Sequence, residues 1–318
     1  MAEHIKTISP ENSISKNIIN TALNSGFDDC GICKAEFLEE DKKYYLNWLK
    51  QNFHADMSFL ENYLETRFNP ELLFPEAKSV VVVLKNYYTQ SGLNDKNLFI
   101  SKYALGKDYH AIIKSQLKNV LNSIRNTYPE INGRVYVDTA PVFERSNAVK
   151  AGLGFTGNNK CLINPRLGSF VFIGELVLDT ELDYNKAYTD SCKDCKLCIK
   201  ACPTGALSKK GLDANKCISY HTIENRNKIP QKIQNKITNQ IFGCDICQNV
   251  CPYNSNLKEH NEPDFMINKE IQEISLEKLE NITDTDFENK LKDTVLLRAG
   301  RKKLIDNIKI VMKNVSVK

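Results

Sequence analysis

Eight of the chain's eleven cysteines fall between Cys192 and Cys251, too close together to be scattered core thiols. The first four form Cys192-x2-Cys195-x2-Cys198-x3-Cys202, followed at once by Pro203. This spacing is that of a bacterial two-cluster iron–sulfur run. Two-residue gaps let three thiolates wrap one cluster from a single tight loop, while the fourth, a turn further on, points toward a second cluster. Pro203 bars simple helical continuation and helps direct that turn. The second run, Cys244-x2-Cys247-x3-Cys251-Pro252, is one thiolate short, and Cys217 lies upstream to supply it. Crossed ligation then assigns Cys192, Cys195, Cys198 and Cys251 to one 4Fe-4S cluster, and Cys202, Cys217, Cys244 and Cys247 to the other. Zinc would leave the third cysteine of the first run and the Cys-Pro endings unexplained. Disulfides are disfavoured in a reducing compartment.

Two clusters mean electron transfer, and electrons need a destination. A pure electron-carrying subunit has no use for the roughly 185 folded residues ahead of these cysteines, which favours an enzyme over a carrier or a nucleic-acid binder with structural clusters. Few other motifs offer chemistry. Cys30-Gly31-Ile32-Cys33 is a CxxC pair without a partner pair, and reads as two buried structural thiols, as does the isolated Cys161. There is no dinucleotide GxGxxG and no P-loop; Gly152-Leu153-Gly154-Phe155-Thr156-Gly157 has the wrong spacing. Asp108-Tyr109-His110 resembles the start of a motif whose His ligates cobalt from below, but Ile113 stands where that motif needs glycine. The residues define a redox enzyme and leave its substrate open.

The elements that must position these residues are legible in outline. Ile14, Ile18, Ile19 and Leu23 recur at helical spacing and Gly26 is a stop; Ile112, Ile113, Leu117, Val120, Leu121 and Ile124 predict a helix over 109–125. Residues 79–84 read as a buried strand, 134–137 as a second, and 168–178 as a third, with a helix over 142–151. Helices mixed with buried strands over 1–185 predict an α/β or α+β core domain. From about residue 190 the strand pattern gives way to Cys, Lys, Pro and Gly, as in a module held by its metals. Helix returns over 270–318. With 42% hydrophobic and 26% charged residues, and no apolar run of about 18, the chain reads as soluble. Met1-Ala2-Glu3-His4-Ile5-Lys6 lacks the apolar core of a secretory signal, so a cytoplasmic location is expected. The net charge of +4 proves no partner, but residues 262–285 carry net −5 and residues 286–318 net +5. A basic end could meet phosphates, or simply be a solvated helix face.

Several stretches resemble the epoxyqueuosine reductase family. They are Tyr103-Ala104-Leu105-Gly106-Lys107-Asp108-Tyr109-His110, Tyr136-Val137-Asp138-Thr139-Ala140-Pro141-Val142-Phe143-Glu144-Arg145, Ala151-Gly152-Leu153-Gly154-Phe155-Thr156-Gly157-Asn158-Asn159, Gly168-Ser169-Phe170-Val171-Phe172-Ile173-Gly174-Glu175 and Cys217-Ile218-Ser219-Tyr220-His221-Thr222-Ile223-Glu224. The eight cysteines match in order and spacing, and the resemblance runs from about residue 10 to the C-terminus. It implies an α+β protein in three parts. Residues 1–185 would be a cobalamin-binding, catalytic α/β domain like that of reductive dehalogenases. Residues 186–262 would be a ferredoxin-like domain with two 4Fe-4S clusters, and 263–318 a helical tail, a truncated HEAT-like region. It further implies base-off cobalamin reduced through both clusters by an external low-potential donor, and a substrate epoxide at the wobble position of tRNA.

The same resemblance implies roles for single residues. Asp138 matches the proposed proton donor; a dry pocket would raise its pKa and keep the proton available, although at the residue level Asp138 could merely end a strand and cap the next helix. Tyr103, Asp138, Asn159, Ser219 and Gly243 match stretches near cobalamin. Asn158, Lys160 and Cys161 depart from the family's wording. Arg298, Arg301, Lys302 and Lys303 are expected phosphate contacts, and Arg226 an anticodon-loop contact. Nothing in the sequence calls for an obligate dimer, so a monomer is expected.

Overall fold

Val80 to Leu84 are apolar without alternation, the pattern of a strand covered on both faces. In the computed structural model, which describes residues 13–316, they lie in β2 (Ser79–Asn86), all eight of whose residues are buried. The N-terminal residues read above as signal-free, Met1 to Lys6, lie outside the described residues. β1 (Asp29–Lys34) pairs with one side of β2 and β4 (Val171–Leu178) with the other. β3 (Gly133–Tyr136) lies on the far edge of β4, so the sheet runs β1-β2-β4-β3 with every pairing antiparallel. The expected strands are present within two or three residues of their predicted ends, and β1 is an addition to them.

Two helices cover one face. α1 (Ile14–Asn24) contributes Ile18 and Ala22; α2 (Tyr109–Thr127) contributes Ile113, Leu117, Val120, Leu121 and Ile124, against Val81, Val83 and Leu176. Fully burying each such side chain stabilises the fold by about 1.5–3 kcal/mol. Gly174 of β4 brings α2 close: a Cβ there would lie 2.8 Å from Ile113 Cγ2 and 2.9 Å from Leu117 Cδ1. On the other face, α3 (Glu144–Lys150) and the following turn place Ala148, Ala151 and Leu153 against Val80, Val82, Leu84 and Val177. Cys30 and Cys33 of β1 belong to opposite cores and are both buried. That placement turns the two thiols away from each other.

A third core ignores the expected boundaries at 185 and 262. It joins Leu93 to Leu105, Ile218 to Phe242 and Ile271 to Val311. Phe99–Ile100 pairs in parallel with Gln240–Phe242, so N-domain chain and cluster-module chain share one ladder. The last helix, Arg301–Ser316, closes this core: Asn307 Nδ2 donates to the carbonyls of Thr222 (3.0 Å) and Ile241 (2.8 Å). Among the described residues no helix is long and apolar enough to cross a membrane.

Candidate active site

The antiparallel sheet brings the start of α2 and the end of β3 together. Asp108 caps α2, its Oδ1 accepting from the N–H of His110 at 2.9 Å, and the same oxygen meets His110 Nδ1 at 2.6 Å. On the other side of that imidazole, Nε2 lies 3.1 Å from Asp138 Oδ2, which also accepts from the Tyr109 hydroxyl at 2.7 Å. Tyr109 is itself clamped, stacked between His110 and Phe172 with ring centroids 4.0 Å away on each side. Asp138 sits just past β3 with φ +41°, a left-handed backbone that Asp tolerates better than most residues. Its N–H donates to a carboxylate oxygen of Glu144, in the first turn of α3.

These contacts set the charges. Partial burial would lower the His110 pKa, but its bonds to Asp108 and Asp138 outweigh that and lift it to about 9, so the ring is an imidazolium at neutral pH. Partial loss of water pushes the Asp138 carboxyl up; the bonds from His110 and Tyr109 and the nearby Arg145 charge outweigh it and hold the carboxyl below its usual range. The sequence-based expectation of a raised Asp138 pKa is therefore corrected. Asp138 is ionised because imidazolium and phenol both bond its oxygen. The neighbour carries the raised value instead: burial, and the charges of Asp138 and Glu175, push Glu144 well above an ordinary carboxylate.

The cysteines form a second group. Burial, then the neighbouring Cys192 and Cys195, raise both Cys198 and Cys251. Burial, then Cys217 and Cys202 with the Asp245 charge, lift Cys244 to about 12. Burial raises Cys217 too, with Cys202 adding to it. Cys198 and Cys251 thus act with Cys192 and Cys195, and Cys244 and Cys217 with Cys202, while Cys247 feels Cys161 first and then Cys244 and Cys217. Backbone N–H groups aim at the sulfurs, including Tyr220 and Ser219 at Cys217 and Tyr253 and Asn254 at Cys251. Asn158 donates its N–H to Cys192 Sγ at 3.3 Å and its side-chain amide to the Cys195 carbonyl at 2.7 Å. Such donors stabilise thiolate and tune cluster potential. The residues present fit two four-thiolate clusters.

Of the residues expected near a corrin, Tyr103 has neighbours in both groups. Tyr103 packs on Tyr109 and Phe242, and its hydroxyl feels the charges of Asp245 and Glu224 from one side and Asp138 from the other. Asn159 is 5% exposed, and its amide nitrogen has no hydrogen-bond partner, a buried donor of the kind that the amide carbonyls around a corrin would satisfy. Ser219 lies in the helix Ile218–Ile223 beside Cys217. Gly243 (φ +73°) is filled by the protein itself, since a Cβ there would meet Ser101 Oγ at 2.1 Å. Cys161 lies between the thiol sets, and burial pushes it up to about 11. Tyr109, His110, Glu144 and Arg145 are members of the site to which sequence reasoning gave no role, although the first two stand in the Asp108-Tyr109-His110 stretch.

The basic residues of the C-terminal region are mostly engaged within the chain. Arg226 donates to the carbonyls of Ala299 (3.2 Å) and Arg298 (2.6 Å). Arg298 pairs with Glu224 and covers the Phe59 ring. Arg301 meets Asp284 Oδ1 (2.6 Å) and the Leu279 carbonyl (2.9 Å). Lys303 donates to the Asn225 carbonyl (2.7 Å), and burial and then the Arg226 charge lower it to about 8. Lys302 is exposed and turned to solvent.

An acid–imidazole–phenol group together with eight closely grouped cysteines defines an iron–sulfur oxidoreductase. Comparison with known proteins sharpens this class. Residues 67–139 match the family model described as "Epoxyqueuosine reductase QueG, DUF1730", and residues 191–254 match a 4Fe-4S double cluster binding domain. The epoxyqueuosine reductase of Leadbetterella byssophila is 42% identical over 297 residues, 93% of this chain and 98% of the relative. A crystal structure of epoxyqueuosine reductase with an epoxyqueuosine-modified tRNA-Tyr stem loop superposes with TM-score 0.85 at 27% identity, over 94% of this chain and 80% of that one. The Bacillus subtilis enzyme, solved with its catalytic loop swung out of the active site, superposes with TM-score 0.86 at 26% identity, over 94% and 81%. The chain belongs to the epoxyqueuosine reductase family.

Proposed function

We propose that this chain reduces epoxyqueuosine to queuosine at the wobble position of tRNA. The observation that carries the reading is Asp138, held by Tyr109 and His110 at the seam between the sheet and the eight-thiol module. When bound, two 4Fe-4S clusters and cobalamin supply the two electrons that the reaction consumes. The chain's own residues do the rest. Crossed ligation gives one cluster Cys192, Cys195, Cys198 and Cys251 and the other Cys202, Cys217, Cys244 and Cys247. Tyr103, Asp138, Asn159, Ser219 and Gly243 line the cobalamin site in this reading. In this reading the cobalamin is base-off, and His110, both of whose ring nitrogens are already engaged, is not free to ligate it. Asp138 passes a proton to the epoxide oxygen as the carbon–oxygen bond opens, where negative charge develops.

On the RNA side, Lys302 is the cation best placed for phosphate contact. Arg226, Arg298, Arg301 and Lys303 act mainly by holding the surface that the anticodon loop meets. An external low-potential donor, a cytoplasmic location and a monomeric state complete the reading. The test is direct: purified chain with clusters and cobalamin restored, a strong reductant and epoxyqueuosine-containing tRNA should yield queuosine by mass spectrometry. Intact epoxyqueuosine after reduction of the clusters would refute it.

A further inference from the structure

Converting an epoxide to an alkene and water consumes two electrons and two protons. One proton neutralises the oxygen as the first carbon–oxygen bond breaks; the other lets that oxygen depart as water when the second bond breaks. Asp138 can carry one proton at a time, and its resting form is the carboxylate. Two groups touch it that do hold protons. One is His110, at 3.1 Å from its Oδ2. The other is Glu144, whose Oε1 accepts the Asp138 N–H.

We propose that Glu144 is the second proton store of this active site and acts through Asp138. The inference rests on the function proposed above. Covalent geometry keeps an aspartate's carboxyl within about 5 Å of its own backbone nitrogen, so a carboxyl bonded to that nitrogen lies within about 8 Å of it, a gap that at most two waters bridge. In the step, the Glu144 O–H bond breaks as an Asp138 O–H bond forms; that bond then breaks as the substrate oxygen takes the proton. His110 provides the other proton in the same way. Glu144 keeps its proton for reasons visible around it. It is partly buried on α3, and burial with the charges of Asp138 from the end of β3 and Glu175 from β4 outweighs the Asp138 N–H bond and the Arg145 charge, which oppose them. Glu175 is fully buried, bonded by Asn147 Nδ2 at 3.0 Å, with its other oxygen unpartnered, and burial lifts it to about 7.

Glu144→Gln tests this, because the amide oxygen still accepts the Asp138 N–H while the proton is gone. With clusters and cofactor loaded, kcat should fall about 100-fold. The fall in wild-type kcat as pH rises through the Glu144 pKa should be absent from the variant, whereas a purely positional role would leave that limb in place. Independently of turnover, the infrared difference between wild type and E144Q near neutral pH should show one protonated-carboxyl band. Unchanged kcat and pH profile in E144Q, with active wild type, would overturn the proposal while leaving the reductase reading intact. Wild type that makes no queuosine defeats the reductase reading instead. A difference spectrum lacking the carboxyl band overturns the proton store in either case.

Discussion

The sheet half and the cluster module hold their reactive side chains by different means. Asp138 and His110 are placed by apolar cores: α2 is pressed onto β4 through Ile113, Leu117 and Gly174, and the loop after β3 follows. The cysteines instead sit on helices of four to six residues and on tight loops, and two of them precede prolines. A core tolerates the loss of a ligand, whereas a ligand-built module does not. The difference teaches that proton chemistry here is preorganised by the fold, and electron delivery by the metals.

Iron removal should break the comparison most visibly. Chelation under oxidising conditions should abolish turnover and remove amide-exchange protection from residues 191–205 and 244–254, leaving β2 and β4 protected. Equal loss in both regions would show that the metals hold the sheet as well. Asp138→Asn should come next, lowering kcat about 10²–10⁴-fold while iron content stays at wild-type level. Leu117→Ala removes a side chain with no exposure and should destabilise the sheet half by about 2–5 kcal/mol in thermal unfolding, again with iron unchanged.

Smaller effects sharpen the contrast. Asp108→Asn keeps a good helix cap but removes one carboxylate from His110, so the ring's pKa should drop from about 9 in an NMR titration. Because the folded value lies above the roughly 6.5 of an unfolded histidine, the wild-type ring contributes stability fully below that pH and loses it as pH rises through about 9. The variant should lose part of this contribution at neutral pH. Lys302→Ala should be least, reducing the salt slope of tRNA binding by about one with little effect on kcat.

Much of this contrast could be read from the residues. The cysteine spacing carries its own ligation logic, and the periodicity of Ile113 to Ile124 gives α2 because its apolar face is continuous. β1 escapes the same reading: Cys30-Gly31-Ile32-Cys33 is short, and glycine breaks its pattern. The Asp138–His110–Tyr109 group is invisible in sequence because it depends on β3 and α2 meeting through a sheet whose strand order departs from chain order. The reversed pKa pattern follows from the same contacts. The partners of Arg298, Arg301 and Lys303, namely Glu224, Asp284 and the Asn225 carbonyl, are likewise tertiary and lie beyond a reading of charge along the chain.

β2 has a further consequence during synthesis. Its Val80-Val81-Val82-Val83-Leu84 run is among the stickiest kinds of sequence a chain can expose. One edge is covered early by β1, but the other waits for β4, some 85 residues later. At ribosomal speeds of about 5–20 residues per second that edge stays open for roughly 5–15 s. Nascent chains stalled near residue 150 should therefore recruit chaperones more strongly than chains stalled well past 190. Yield from overexpression should improve with cooler growth, when fewer half-made copies can find one another.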